Sequence, residues 1–333
     1  MRRERVTVLI ILILCIISII IGALLLKKGV REGDIDEEDS GLFSRIPSKG
    51  GIAVIDIYGE ISFEPISIPF GVGFRGADAV VERIRVCSKN PRVKAIILRI
   101  NSPGGTVGAT QEIYDEVKKA RRKGIKVVAS LGDIAASGGY YVACGADKII
   151  SNRGTITGSV GVYIGSLNIK DFMDKYGIKY NIVKSGQYKD ILSVWKELSK
   201  EEKELLQETI DNVYFQFLSA VSEGRHISLD EVKKFADGRI FSGEQAKKIK
   251  FVDELGGFED AKLLAGKLAG IKGEPFIIKE PVRTLDQIFE LLFNMANIKT
   301  SPFQVEQISP VKYQYLPQFA YINELERTFS PVR

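Results

Sequence analysis

The chain has 333 residues, 45% hydrophobic and 27% charged, a balance that suits a packed globular protein and excludes collagen-like, low-complexity and wholly disordered chains. Its net charge of +5 is unevenly spread: residues 1–31 carry six basic groups and one acid, residues 32–40 carry six acids, and the rest carry 41 basic against 35 acidic groups, too mild an excess for a nucleic-acid-binding stripe. Three scattered cysteines, Cys15, Cys87 and Cys144, and one histidine, His226, exclude a disulfide scaffold, a four-ligand zinc site and a multi-histidine metal centre. Any Ser-His-Asp triad would have to use His226. At roughly 150 residues per domain, the length allows about two domains, or one large domain with appendages.

Val6 to Leu26 is 21 residues without a charge. At 1.5 Å per residue that is roughly 30 Å of helix, enough to cross a bilayer's hydrocarbon core. The run is longer than a signal peptide's apolar region and stops on Lys27 and Lys28, so it reads as a retained anchor. Arg2, Arg3 and Arg5 favour a cytoplasmic N-terminus, which puts the large domain outside the cytoplasm. Residues 29–49 read as an acidic linker.

From Gly51 onward, apolar β-rich runs alternate with helical patterns. Strands are expected at Ile52–Ile57, Val93–Ile100, Ile125–Ser130, Lys148–Ser151, Val160–Ile164 and Tyr180–Lys184. Helices are expected at Ala77–Ser88, with Val80, Ile84 and Cys87 on one face, and at Val107–Arg122, Ser137–Cys144 and Ile169–Tyr176. Such alternation predicts an α/β fold, with a largely parallel sheet and outer helices. A long amphipathic helix is expected at Lys200–Glu223, with a capping box at Ser199 and Glu202 and an apolar face of Leu205, Ile210, Val213, Phe217 and Ala220. Ser228 and Glu231 repeat the box before a shorter helix ending near Gly238, and Phe258–Leu268 is another helix. After Pro281 the character changes: Leu285–Met295 is apolar and helical in pattern, and residues 301–333 carry four prolines and several aromatics. Residues 276–333 therefore read as an appendage to a domain spanning 50–275.

Three segments can carry chemistry. Asn101-Ser102-Pro103-Gly104-Gly105 is a strand-to-helix turn whose backbone N–H groups can face an anion or a developing oxyanion. It has neither of the glycine spacings of the common nucleotide-binding loops. Ala136-Ser137-Gly138-Gly139-Tyr140-Tyr141 places a serine among small residues at a helix start, where it can be a nucleophile or simply an N-cap. A serine needs a base, and His226 sits at the polar end of the long helix. A lysine can serve if its amine is neutral, and Lys184 and Lys189 flank Ser185-Gly186-Gln187-Tyr188. Thr157-Gly158-Ser159-Val160-Gly161 offers a second serine that can orient a lysine without adding charge.

Taken together and in this order, these segments resemble the signal peptide peptidase A family, in its short membrane-anchored form. Asp237-Gly238-Arg239-Ile240-Phe241-Ser242-Gly243-Glu244-Gln245-Ala246 and Val252-Asp253-Glu254-Leu255-Gly256-Gly257 add to the likeness, which covers roughly residues 50–270. The resemblance implies a Ser-Lys serine protease with a Clp protease/crotonase-like fold. It implies Ser137 as nucleophile, Lys189 rather than Lys184 as general base, Ser159 as the residue positioning that lysine, and the N–H groups of Gly104 and Gly138 as the oxyanion hole. It further implies a ring-shaped homo-oligomer, an octamer for the short form, acting on signal-peptide remnants and other unfolded peptides. No metal or organic cofactor is called for.

Three other functions share some of these features. A stomatin-operon-type membrane protease also uses Ser and Lys. A crotonase-like acyl-CoA enzyme also has glycine turns that hold an oxyanion, but it wants acidic catalytic residues and no anchor. A non-catalytic scaffold would use Ser137 only as a cap.

Overall fold

Buried β-branched runs set the centre of the molecule. A computed structural model describes residues 50–63, 66–68, 71–73, 76–278 and 312–314. The apolar stretch 6–26 and the apolar segment 285–295 lie outside the described residues. Strands β1 (Gly51–Tyr58), β4 (Val93–Ser102), β6 (Lys126–Ala136), β7 (Lys148–Ser151) and β10 (Glu254–Leu255) form a parallel sheet in the order β1-β4-β6-β7-β10. β8 (Ile156–Gly158) continues alongside the far end of β6, and β9 (Ile240–Ser242) adds to β8 antiparallel. A small hairpin joins β2 (Ile66–Ile68) to β3 (Gly71–Gly73).

The sheet is buried on both faces, as parallel sheets are. Period-2 alternation divides its side chains between two cores. Ile96, Leu98 and Ile100 of β4 and Val127, Ala129 and Leu131 of β6 face one side. There they meet helices α1 (Ala77–Lys89), α2 (Val107–Arg122), α3 (Gly138–Cys144) and α5 (Lys200–Arg225). Ala95, Ile97 and Val128 face the other side, against Ala261 and Ala265 of α8 (Phe258–Leu268). This is the α/β architecture expected from the sequence.

The boundaries of β4, β6 and β7 and of the helices α1, α2, α3 and α8 fall within a few residues of expectation, except that β6 runs six residues further. Leu131 pairs with Ile100, and the register then shifts so that Ala135 pairs with Ser102. The Asn101 side-chain carbonyl fills the gap, accepting from the N–H groups of Asp133 (3.0 Å) and Ile134 (3.1 Å). Gly132 and Asp133, beyond the expected end at Ser130, therefore continue the strand in space. On α1, Val81 is buried where Val80 was expected; Val80 packs at the margin. On α5 the capping box between Ser199 and Glu202 is present. Its buried face is narrower than expected, however, with Phe217, Leu218, Ala220 and Val221 buried and Leu205 exposed. The short helix α6 (Leu229–Lys233) ends before Gly238.

The strands expected at Val160–Ile164 and Tyr180–Lys184 do not form. Val160 is buried in the core, where its carbonyl accepts from the Gly238 N–H (3.1 Å), and residues 163–195 then form an arm that holds no strand among the described residues. Its one helix, α4 (Lys170–Lys175), has no buried residue.

Asp253, within the family-like Val-Asp-Glu-Leu-Gly-Gly segment, ties the far end of the sheet to α5. It accepts from Arg225 (2.7 Å), Lys148 (2.9 Å) and the Ile149 N–H (2.8 Å). Burial works to raise its carboxyl pKa, but Arg225, the Ile149 amide and Lys148 together hold it below the ordinary value. Asp253→Ala leaves the nearly buried Arg225 without its partner and is expected to cost about 3 kcal/mol in a urea unfolding experiment. Because the folded-state pKa is depressed, this contribution is complete above the unfolded pKa of about 3.9 and disappears as pH falls through the lower folded value.

Candidate active site

Three chain reversals meet at the ends of β4, β6 and β8. Pro103 and the two glycines after β4 lead into β5 (Gly104–Thr106), where Gly104 has φ +114°, a conformation that a β-carbon strains. Ser137 closes β6 with φ +52° and ψ −119° and is the N-cap of α3. A positive φ in a serine costs of order 1–3 kcal/mol and persists only where the surroundings impose it. Here the Ser137 N–H donates to the Gly158 carbonyl (2.8 Å) and its carbonyl accepts from the Tyr141 N–H (2.8 Å). Ser159, one residue beyond β8, also has φ +52°, and its N–H donates to the Arg239 carbonyl (2.8 Å).

The parallel register pairs Ala135 with Thr157 and Ala136 with Gly158, so Ser137 and Ser159 stand at adjacent strand ends. Thr155 and Thr157 lock β8 there through hydroxyl donors to the carbonyls of Gly132 (2.6 Å) and Ala135 (2.7 Å). Ser137 is 1% and Ser159 7% exposed. No hydrogen bond is made by the Ser137 hydroxyl among the described residues, so this buried group is not spent as a helix cap.

The glycines let the turn after β4 close on the start of α3. A β-carbon on Gly138 would lie 2.7 Å from Thr110 Oγ1, 3.2 Å from the Gly105 nitrogen and 3.3 Å from Gly104 Cα. Gly104 and Gly138, the two expected oxyanion donors, are thus brought together beside Ser137. The Gly138 N–H belongs to the first turn of α3, where amides have no partner within the helix. The Gly104 N–H donates to Ser102 Oγ at 3.1 Å. Thr110 Oγ1 is buried without a hydrogen-bond partner among the described residues.

β5 lies between two extended segments. Ile61 bridges it on one side: the Ile61 N–H donates to the Gly104 carbonyl and the Thr106 N–H to the Ile61 carbonyl, both at 2.8 Å. On the other side, β11 (Lys312–Gln314), from the tail, pairs antiparallel with Gly104–Thr106. An extended backbone therefore lies along the strand that begins at Gly104.

Lys189 makes no hydrogen bond to Ser137. It is exposed on the arm, and its ammonium group has no hydrogen bond or ion pair among the described residues. Lys184 is committed elsewhere, to the carboxylate of Asp190 (2.7 Å) and the carbonyl of Gln187 (2.8 Å). His226 is the exposed, left-handed C-cap of α5. Asn101 and Thr110 support the site but carry no sequence signal beyond their place beside the glycine turn. Among the described residues no group of side chains could hold a metal ion.

Comparison with known proteins agrees with this geometry. The family model described as Peptidase family S49 matches residues 119–272, and that described as Clp protease matches residues 49–157. A Synechocystis sp. protein bearing a protease name is 48% identical over 193 residues, which are 58% of this chain and 69% of that protein. Protease 4 of Salmonella typhi is 37% identical over 235 residues, 70% of this chain and 37% of the relative. The chloroplastic serine protease SPPA of Arabidopsis thaliana is 33% identical over 224 residues, 66% of this chain and 32% of the relative. The chain thus spans about a third of the length of the last two.

Fold and relatives together define a serine peptidase on a Clp-protease-like α/β scaffold. The chain belongs to peptidase family S49 and is of the signal peptide peptidase A type. The acyl-CoA and scaffold readings give way to that membership.

The contact at Gly138 has a measurable consequence. Gly138→Ala is expected to lower kcat/KM for a peptide by roughly tenfold or more, because its methyl group pushes α3 off the Gly104–Gly105 turn. Adding Thr110→Ala, which removes the nearest obstacle and no hydrogen bond, is expected to restore part of the loss.

Proposed function

We propose that the chain is a membrane-anchored Ser-Lys endopeptidase whose site is completed by a second copy of itself. The observation that carries this reading is the contrast in setting of the two groups, which make no hydrogen bond to each other. Ser137 is buried and unbonded against the glycine turn, while Lys189 rides on an arm that also exposes Leu167, Phe172, Tyr176, Ile178, Ile182 and Val183. So much apolar surface on one excursion marks an interface. A neighbouring copy's Ser137 end supplies a cover for the arm and a use for its lysine. Repeating that head-to-tail contact closes a ring, with an octamer as the expected size.

In the proposed reaction, neutral Lys189 accepts the Ser137 proton as Oγ attacks the peptide carbonyl. Ser159 orients the amine. The oxyanion takes the N–H groups of Gly104 and Gly138, and Gly104 exchanges Ser102 Oγ for it. The lysine ammonium then protonates the leaving amine, and water, deprotonated by the same lysine, releases the acyl group from Ser137. The β11–β5 pairing supports an extended peptide as substrate, because strand addition at this edge carries a backbone past Gly104. No metal or organic cofactor enters any step.

The substrates we propose are signal-peptide remnants and other unfolded peptides. Residues 1–28 form the single-pass anchor with its N-terminus in the cytoplasm, 29–49 an acidic linker, 50–275 the extracytoplasmic peptidase domain and 276–333 an appendage. Among the described residues no helix is long and apolar enough to cross a membrane, and 6–26 lie outside them. A fluorophosphonate probe followed by peptide mass mapping tests the nucleophile. Labelling at Ser137 is expected; labelling of another serine, with Ser137 untouched, would remove this reading.

A further inference from the structure

Every residue from Asp174 to Lys189 is exposed, and the first buried one is Asp190, immediately after the proposed base. Its side chain is 6% exposed and sits between two ammonium groups, Lys184 Nζ at 2.7 Å and Lys196 Nζ at 3.0 Å. Lys196 also binds Glu202 Oε1 at 2.5 Å, and the Glu202 side chain is equally buried. Glu202 is the N3 residue of the α5 capping box: its Oε2 accepts from the Ser199 N–H at 3.0 Å. A continuous chain of ion pairs therefore joins the residue after Lys189 to the start of a 26-residue helix. Lys184 closes the loop from its other end, donating to the Gln187 carbonyl as well as to Asp190. The backbone bond from the Ile169 N–H to the Val194 carbonyl (2.7 Å) and the Tyr180–Trp195 ring contact (3.9 Å) tie the rest of the arm together.

The arrangement does two things for an amine that must be neutral. It fixes the backbone of Lys189 against a rigid element, although the loop around it buries almost nothing. It also balances charge. A carboxylate next to the base would hold that base protonated, but Asp190 faces two cations, and the four groups Lys184, Asp190, Lys196 and Glu202 sum to zero. No other charged side chain among the described residues is bonded to this cluster.

We propose that Asp190, Lys196 and Glu202 are positioning residues for the catalytic lysine, and that Lys184 and Lys196 offset the Asp190 charge that would otherwise keep Lys189 protonated. This inference rests on Lys189 being the base. It makes the second lysine of the Lys-Ser-Gly-Gln-Tyr-Lys segment a charge partner and not a spare base.

The test is the pH dependence of kcat and KM for peptide hydrolysis by the full chain in detergent, with assembly size and thermal unfolding measured for each variant. Lys196→Met leaves Asp190 and Glu202 facing one cation. The alkaline-rising limb is expected to move up by about half to one pH unit, and kcat at neutral pH to fall several-fold. Lys196→Arg keeps the charge and is expected to keep the wild-type limb. Asp190→Asn removes the anchor together with its negative charge, so kcat falls with no upward movement of the limb. If Lys196→Met fails to assemble, Lys184→Met decides, because it leaves the bridge to α5 intact and is expected to move the limb the same way. A kcat loss with an unmoved limb in the Met variants, or wild-type profiles throughout, overturns the proposal. Wild-type hydrolysis by Lys189→Ala overturns instead the reading on which it rests, so the two failures are distinguishable.

Discussion

Replacing Ser137 by alanine is expected to lower kcat for peptide hydrolysis by roughly 10⁶-fold, the scale on which a serine peptidase loses activity with its nucleophile. Folding should change little. The hydroxyl makes no hydrogen bond that alanine would lose, and the backbone bonds to Gly158 and Tyr141 remain. The φ of +52° is no harder for alanine than for serine, although both are strained there. The measurement is steady-state hydrolysis alongside thermal unfolding. An inactive variant with an unchanged midpoint separates chemistry from stability. A variant that keeps its activity would leave the buried, unbonded serine without a function.

Lys189→Ala carries the second large effect. Without a base, Ser137 must give its proton to water, and kcat is expected to fall by at least about 10³-fold, within the range that general base catalysis and nucleophile activation supply together. KM is expected to change little, since an extended peptide is held by its backbone along the β5 edge and not by the amine. The wild-type rate should rise with pH, because only the neutral amine accepts a proton, and the residual rate of the variant should lose that limb. Lys184→Ala is expected to behave differently: it weakens the hold on Asp190 and leaves the amine of Lys189 in place. A pH limb that survives in Lys189→Ala would assign the ionisation to another group.

Much of the fold was legible in the sequence, for a definite reason. The parallel strands β4, β6 and β7 are buried on both faces, so their apolar runs are continuous and hard to mistake. Helices α2 and α8 have strong periodicity and were read to the residue. What misled was apolar character without a partner. Tyr180–Lys184 has the composition of a strand, yet Tyr180, Ile182 and Val183 are exposed and belong to a surface, while in Val160–Ile164 the buried Val160 reaches the core from irregular backbone. Leu205 and the start of α5 repeat the point. β6 departs in the opposite direction: the strand expected to end at Ser130 runs on to Ala136, since the Asn101 side chain replaces the missing ladder bonds.

The site was legible in its serine half. Ser137, Ser159, Gly104 and Gly138 were all marked by small residues at strand ends, and the sheet register brings them to one place. The lysine half was legible only through family resemblance. Nothing in the spacing of Lys184 and Lys189 says which is tied to Asp190 and which is free. That distinction depends on Lys196 and Glu202, residues that look like ordinary surface charges until α5 is in position.

In the proposed enzyme Ser137 of one copy meets Lys189 of another, and coexpression of two inactive chains shows whether it does. Ser137→Ala and Lys189→Ala full-length chains, carrying different affinity tags, are produced in one cell and purified through both tags. If each site is shared between neighbours, random mixing rebuilds about a quarter of the sites with an intact serine and an intact lysine, and peptide hydrolysis returns to a comparable fraction of wild type. If doubly tagged assemblies form and remain as inactive as either variant alone, serine and lysine act within one chain, and the arm must fold back to reach its own nucleophile.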